Sequence, residues 1–209
     1  MTHATATEEL DGGDMEQFVQ SVEQSIANAN WHAAVALAFT LPDITIGMEM
    51  PKLNNGQRFA EFHRRYMRPL YEVAPRGSEG WDFFTAAFAS AMDKHLRGEI
   101  TAAQYEHELF GRFPHAPREC WFGPEDFYGL RCAILHAGSP NQTFKQGRVY
   151  ERFALWAPRP GVRHLNILNE TLQLQVDILC RQICHGTREW DSTVGAGLRA
   201  TLDDELLKF

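Results

Sequence analysis

Cysteine is scarce in this chain: Cys120, Cys132, Cys180 and Cys184 are the only four in 209 residues. That excludes a small secreted fold stapled by disulfides. Cys180 and Cys184 stand one helical turn apart beside His185, but zinc takes four ligands, usually in two short-spaced pairs, and no second pair is present. Buried thiols and no metal are expected. Also missing is any apolar run near the roughly 18 residues of a membrane span. Residues 1–13 carry neither a basic nor an apolar leader segment, so the expected setting is the cytoplasm, with no membrane. Walker loops, dinucleotide-binding glycine fingerprints, zinc-protease motifs and internal repeats are absent, and no cofactor is expected.

What is present is the material of a globular domain: 44% hydrophobic and 22% charged residues, at a length that fits one domain with an elaboration. The net charge of −7 argues against a general nucleic-acid binder, but it is uneven. Residues 1–30 carry −6 with no Lys or Arg, and residues 189–209 carry −3, which leaves +2 on residues 31–188. Arg58, Arg64, Arg65, Arg68 and Arg76 form one basic cluster against Glu61 and Glu72; Lys145, Arg148, Arg152, Arg159 and Arg163 form another. Arg64, Arg65, Arg68, Lys145, Arg148 and Arg152 are the candidates for meeting RNA phosphates, against the alternative of an ordinary solvated surface.

Hydrophobic spacing predicts a mainly helical chain. After a polar tail over 1–13, Phe18, Val22 and Ile26 repeat every four residues, and Asn28-Ala29-Asn30 separates them from an almost wholly apolar helix over 31–39. Pro42 suits the first turn of a short helix that ends around Gly47 and Pro51. A loop over 52–57 precedes a helix over 58–71 with Phe59, Phe62, Tyr66 and Leu70 inward. Ser78 is placed to cap a helix bearing Trp81, Phe84, Phe88 and Met92, a stripe read as core or as a partner surface. Thr101 caps another helix, so 78–118 is a candidate inserted helical subdomain. Residues 149–156 read as a strand, 158–161 as a turn and 164–168 as its antiparallel partner, giving a small β-hairpin. From Leu172 the pattern is taken as helical, with a hinge at Gly195-Ala196-Gly197 and an amphipathic tail over 195–209. The main domain spans 14–194.

The segment from Gly123 to Pro140 organises the rest. Pro124 fits the first helical position, Glu125 and Asp126 complement the positive helix end, and Gly138 and Pro140 supply a stop. Phe127, Leu130, Ile134 and Leu135 form an apolar arc with Arg131 projecting from its middle, and His136 follows five residues later. A charge on an apolar arc needs a partner or a task. Asp43 and Glu49, set among Ile44, Ile46 and Met48, are the candidate partners; Tyr128, one turn earlier, is a candidate orienting group or core residue.

Arg131-Cys132-Ala133-Ile134-Leu135-His136 resembles the Arg-x-x-x-x-His signature of the HEPN domain. The resemblance implies an antiparallel helical bundle, many members of which are metal-independent ribonucleases in toxins and antiviral defence. It also implies Arg131 and His136 as catalytic residues, paired across a homodimer, with 2′,3′-cyclic phosphate and 5′-hydroxyl products. Many catalytic members carry a polar residue directly after the Arg, where this chain has Cys132. The alternative is therefore a catalytically inactive HEPN-like module binding a protein partner or a nucleotide.

Overall fold

The computed structural model describes residues 15–75, 77–137, 152–159 and 164–199. It is mainly helical with two small sheets. The polar tail, Arg76, Lys145, Arg148, Arg163, Gly138, Pro140 and residues 200–209 lie outside the described residues.

Helix α1 (Met15–Ala27) packs on α2 (Trp31–Ala38) across the short break at Asn28–Asn30, whose Asn30 side chain accepts from the Ala33 N–H. The buried stripe of α1 is Met15, Val19, Val22 and Ile26, while Phe18 is 43% exposed. Its inward face thus lies one residue from the Phe18 register expected from spacing. Helix α3 (Leu41–Glu49) starts on Pro42 as expected but runs through Gly47. By composition and length, Trp31–Glu49 is apolar enough to cross a membrane. It is broken at Phe39–Thr40 into two helices, and Ala34, Val35, Ala38, Leu41 and Ile46 are spent on the core.

Helix α4 (Asn55–Phe62) begins earlier than the apolar pattern suggested, because Asn54 and Gln57 form a reciprocal capping box. The helix then widens into a π-helical turn, His63–Met67, in which the Arg68 N–H reaches back to the His63 carbonyl, and resumes as α5 (Arg68–Tyr71). Phe59, Phe62, Tyr66 and Leu70 are all buried, as their spacing requires. Strand β1 (Glu72–Val73) pairs antiparallel with β2 (Glu119–Cys120), a short ladder that no alternation in the sequence announced. Helix α6 (Trp81–Leu96) starts at Gly80, held at φ +89°, and not at a Ser78 cap: the Ser78 hydroxyl donates to the Pro75 carbonyl instead. Helix α7 (Ala102–Phe110) carries the expected Thr101 cap, reinforced by Gln104. The pair α6–α7 packs on α5 and on the long helix over 176–190, and Phe84, Met92 and Phe110 belong to the same core as α1–α4.

Helix α8 (Pro124–Ala137) is the motif helix. Beyond it, the expected hairpin is corrected. Strand β3 (Arg152–Trp156) does not pair with β4 (Asn166–Leu168). Both flank β5 (Thr171–Gln175), β3 in parallel and β4 antiparallel. The tight turn is Asn169-Glu170, with both residues at positive φ, the geometry that closes a two-residue hairpin. Leu172 and Leu174 are buried while Thr171, Gln173 and Gln175 are not, a period of two that places a strand ahead of the helix.

Helix α9 (Val176–Trp190) continues through a second π-helical turn, Asp191–Gly195, into α10 (Ala196–Arg199), so Gly195–Gly197 is helical and not a hinge. Gly186 lies against Tyr66 and Phe62: a Cβ there would stand 2.7 Å from the Tyr66 Cβ. Cys180 and Cys184 point into the core, where burial pushes the Cys184 thiol pKa up to about 12. Neither belongs to a metal-binding cluster among the described residues.

Candidate active site

Phe127 anchors α8. Its ring lies 5.3 Å from those of Phe39 and Phe59, 6.4 Å from Phe62 and 6.1 Å from Phe122, and it is fully buried. Arg131, one turn further, therefore leaves the core at its edge, with its guanidinium 5.9 Å from the Phe59 ring centroid.

The Arg131 side chain is only 15% exposed. Its Nη1 donates to His136 Nε2 at 3.0 Å, joining the two motif residues directly. Because a guanidinium only donates, Nε2 of His136 is the accepting nitrogen, and the ring proton sits on Nδ1. The Arg131 Nη2 lies 4.0 Å from Asp43 Oδ2, and its Nε is buried without a partner among the described residues. Asp43 is already engaged: its Oδ1 accepts from Arg58 Nη1 at 3.2 Å, and Arg58 Nη2 also donates to the Pro51 carbonyl. Two guanidinium groups thus share one carboxylate. The Arg58 group fits there because residue 47 is glycine; a Cβ would stand 2.9 Å from its Nη1.

Tyr128 packs between Gly56 and Phe59, with ring centroids 5.6 Å apart in the latter pair. The neighbouring Cys132 thiol, with burial adding in the same direction, holds the Tyr128 phenol pKa above its ordinary value. Tyr128, Arg131, Cys132, Leu135 and His136 fall on the outward half of α8, and Leu135 and His136 are exposed. No residue in this group presents a metal-binding cluster of carboxylates, thiols and imidazoles.

Asp43, Tyr128, Arg131 and His136 are therefore brought together, and Arg58 joins them. Arg58 stood in the sequence as one member of a charge cluster; nothing in the spacing marks its meeting with a carboxylate fifteen positions earlier. Glu49 is not a partner of Arg131. Both its oxygens accept from Arg65 Nη1 at 2.9 Å, and one accepts from Trp190 Nε1 at 3.1 Å. Arg65 also donates to Glu61, so it is spent on the interior and is no free phosphate ligand. Glu49→Ala leaves a part-buried guanidinium and an indole N–H without their acceptor, and is expected to cost about 2 kcal/mol. Urea denaturation checks this. Arg64 and Arg68 face a groove at the other end of α8, and Arg152 lies exposed on β3.

Neither a family model, nor a curated protein, nor a solved structure matches this chain.

Proposed function

We propose that this chain is a metal-independent endoribonuclease of HEPN type, with Arg131 and His136 as its catalytic residues. One observation carries the reading. Arg131 is a largely buried cation that donates to an exposed imidazole, while the carboxylate nearest to it is shared with Arg58. The cost of burying that charge is only partly offset within the described residues. A phosphodiester oxygen supplies the missing counter-charge, and a planar fork suits it.

In the proposed reaction the ribose 2′-oxygen forms a bond to phosphorus as the bond to the 5′-oxygen breaks. One imidazole takes the 2′-hydroxyl proton and a second, protonated imidazole gives its proton to the departing 5′-oxygen, leaving a 2′,3′-cyclic phosphate and a 5′-hydroxyl. Arg131 stabilises the charge that develops on the non-bridging oxygens. A single His136 cannot stand on both sides of one phosphate, so the proposal includes a homodimer that brings two α8 helices to one cleft. The outward patch of Tyr128, Leu135 and His136 is the face that would meet its copy. A toxin or antiviral-defence setting belongs to the same reading.

The test is incubation of total RNA and tRNA with purified protein in EDTA, with Arg131→Ala and His136→Ala beside the wild type. The expected result is cyclic-phosphate ends from the wild type and a loss of about 10²–10⁴-fold in each variant, with unchanged far-UV circular dichroism. Cleavage that survives in both folded variants would falsify the assignment. The second reading, an inactive module that binds a protein or nucleotide, is favoured by the approach of Asp43 to Arg131. It expects no cleavage by the wild type, and a loss of stability in Arg131→Ala like that of Asp43→Ala.

A further inference from the structure

Two adjoining cavities meet beside the π-helical turn, at the end of α8 opposite His136. The first, about 680 Å³, is walled by Met50, Leu53, Ala60 and Pro124, with His63 and Gly123 at its edge. The second, about 620 Å³, is lined by Glu72, Glu106, Arg118 and their neighbours. Arg64, Arg68 and Cys120 border both, so one groove has an apolar lobe, a charged lobe and two guanidinium groups at its waist. Each lobe falls in the size range of small-molecule sites.

The arginines at the waist are the least committed cations of this region. Arg64 is 61% and Arg68 58% exposed. Arg64 uses Nε and Nη2 on Glu61, and Arg68 uses Nε on Glu72; the Nη1 of Arg64 and both Nη groups of Arg68 have no hydrogen-bond partner among the described residues. The carboxylates of the groove are already taken: Glu61 is shared with Arg65, and Glu72 and Glu106 both hold Arg118. Arg64 and Arg68 stand four residues apart across the π-helical turn and line both lobes. Arg64 and Arg68 therefore flank a common point, faced by the N-terminal end of α8, whose Gly123 and Pro124 line the same cavity.

A separate observation concerns the floor. His63 is 1% exposed, and its Nε2–H donates to the Phe122 carbonyl at 2.7 Å. Its Nδ1 is then a lone pair, buried and without a partner. Such an atom is matched by a hydrogen-bond donor, not by an anion.

We propose that this groove is a second binding site, for a phosphate monoester whose body is apolar or flat. The phosphate sits between Arg64 and Arg68, and the body lies against Met50, Leu53, Ala60 and Pro124. The site stands about 18 Å along α8 from His136, at about 1.5 Å per residue, and does not depend on the ribonuclease reading.

Calorimetric titration of the full chain with adenosine 5′-monophosphate tests it, alongside ribose 5-phosphate and inorganic phosphate. One saturable site is expected for the nucleotide, with weaker binding of the two probes that lack the flat body. Arg64→Gln/Arg68→Gln should weaken nucleotide binding tenfold or more. Ala60→Trp, which fills the apolar lobe and leaves both arginines in place, should do the same. Circular dichroism confirms that each variant is folded. Competition by a 5′-phosphorylated RNA trimer would identify a strand end as the source, and its absence a free small molecule; either upholds the groove. No saturable binding, or binding unchanged in either folded variant, overturns it.

Discussion

Lowering the pH from 7 to 5 is expected to remove on the order of 5–6 kcal/mol of folding stability, through three buried histidines at about 1.36 kcal/mol per pKa unit. Burial depresses the pKa of His63 and of His95 to about 4, and that of His164 to about 3. Each is held neutral by specific contacts: His63 Nε2–H donates to Phe122, His95 Nδ1–H donates to Ile100, and His164 Nδ1 accepts from the Gln175 N–H. In the unfolded chain the same groups titrate near 6.5. Their folded values are depressed, so between roughly pH 6.5 and 4 the unfolded state binds protons that the folded state refuses, and stability falls as pH falls. His185, whose ring lies 5.2 Å from that of His95 and whose pKa burial also lowers, adds in the same direction. Asp177 and Glu189, raised by burial, act the other way, but only near the ordinary carboxylate range. Since a domain has about 5–15 kcal/mol in total, this is a large share of the stability. Urea midpoints measured at half-unit intervals should report an uptake of nearly three protons around pH 5.5. A flat profile between pH 7 and 5 would mean that these imidazoles are solvated in solution.

The same histidines illustrate what the sequence conceals. His63, His95, His164 and His185 carry no local sign of burial, because each is satisfied by a backbone group that the tertiary fold delivers. The helices were legible where their own residues terminate them, as Thr101 and Gln104 do for α7 and Pro124 for α8. At Asn54 the reciprocal cap lies in a polar stretch that resembles a loop, so α4 begins before its apolar pattern. The β-region misleads for a definite reason. Leu172, Leu174 and Val176 alternate, but they run without a break into the helical stripe of α9, and the Asn169-Glu170 turn lacks the glycine that usually marks such a hairpin. In the site, the approach of Asp43 to Arg131 followed from one principle: a cation on an apolar arc requires company. The direct hydrogen bond from Arg131 to His136 did not, since the spacing only lets the two side chains reach a common point. The choice between Asp43 and Glu49 did not follow, because it depends on how α3 is turned. Asp43 faces α4 and α8, whereas Glu49 reaches Arg65 and Trp190. The π-helical turns at His63–Met67 and Asp191–Gly195 had no sequence signature at all.

Phe127→Ala is expected to cost about 3–5 kcal/mol, the range for emptying a buried aromatic position. The ring is where α2, α4 and the approach to α8 converge, through Phe39, Phe59, Phe62 and Phe122, with His63 at 5.9 Å. All five of those neighbours are themselves rigid rings, so the space cannot be closed by small side-chain movements, which puts the cost toward the upper end. Phe127→Leu keeps most of the volume and should lose far less, on the order of 1–1.5 kcal/mol. The pair separates the roles of fold and site. Phe127 touches no motif side chain in these contacts, but it sets the azimuth of α8, and with it the placing of Arg131 over Phe59 and of Tyr128 against Gly56. Denaturation gives the stability of each variant. On the proposed ribonuclease reading, cleavage by the Leu variant, corrected for the folded fraction, stays near wild type, whereas that by the Ala variant falls in proportion to unfolding. An Ala variant that keeps its stability would show that α8 is held mainly from its solvent face, which is what a tight dimer across Tyr128, Leu135 and His136 would do.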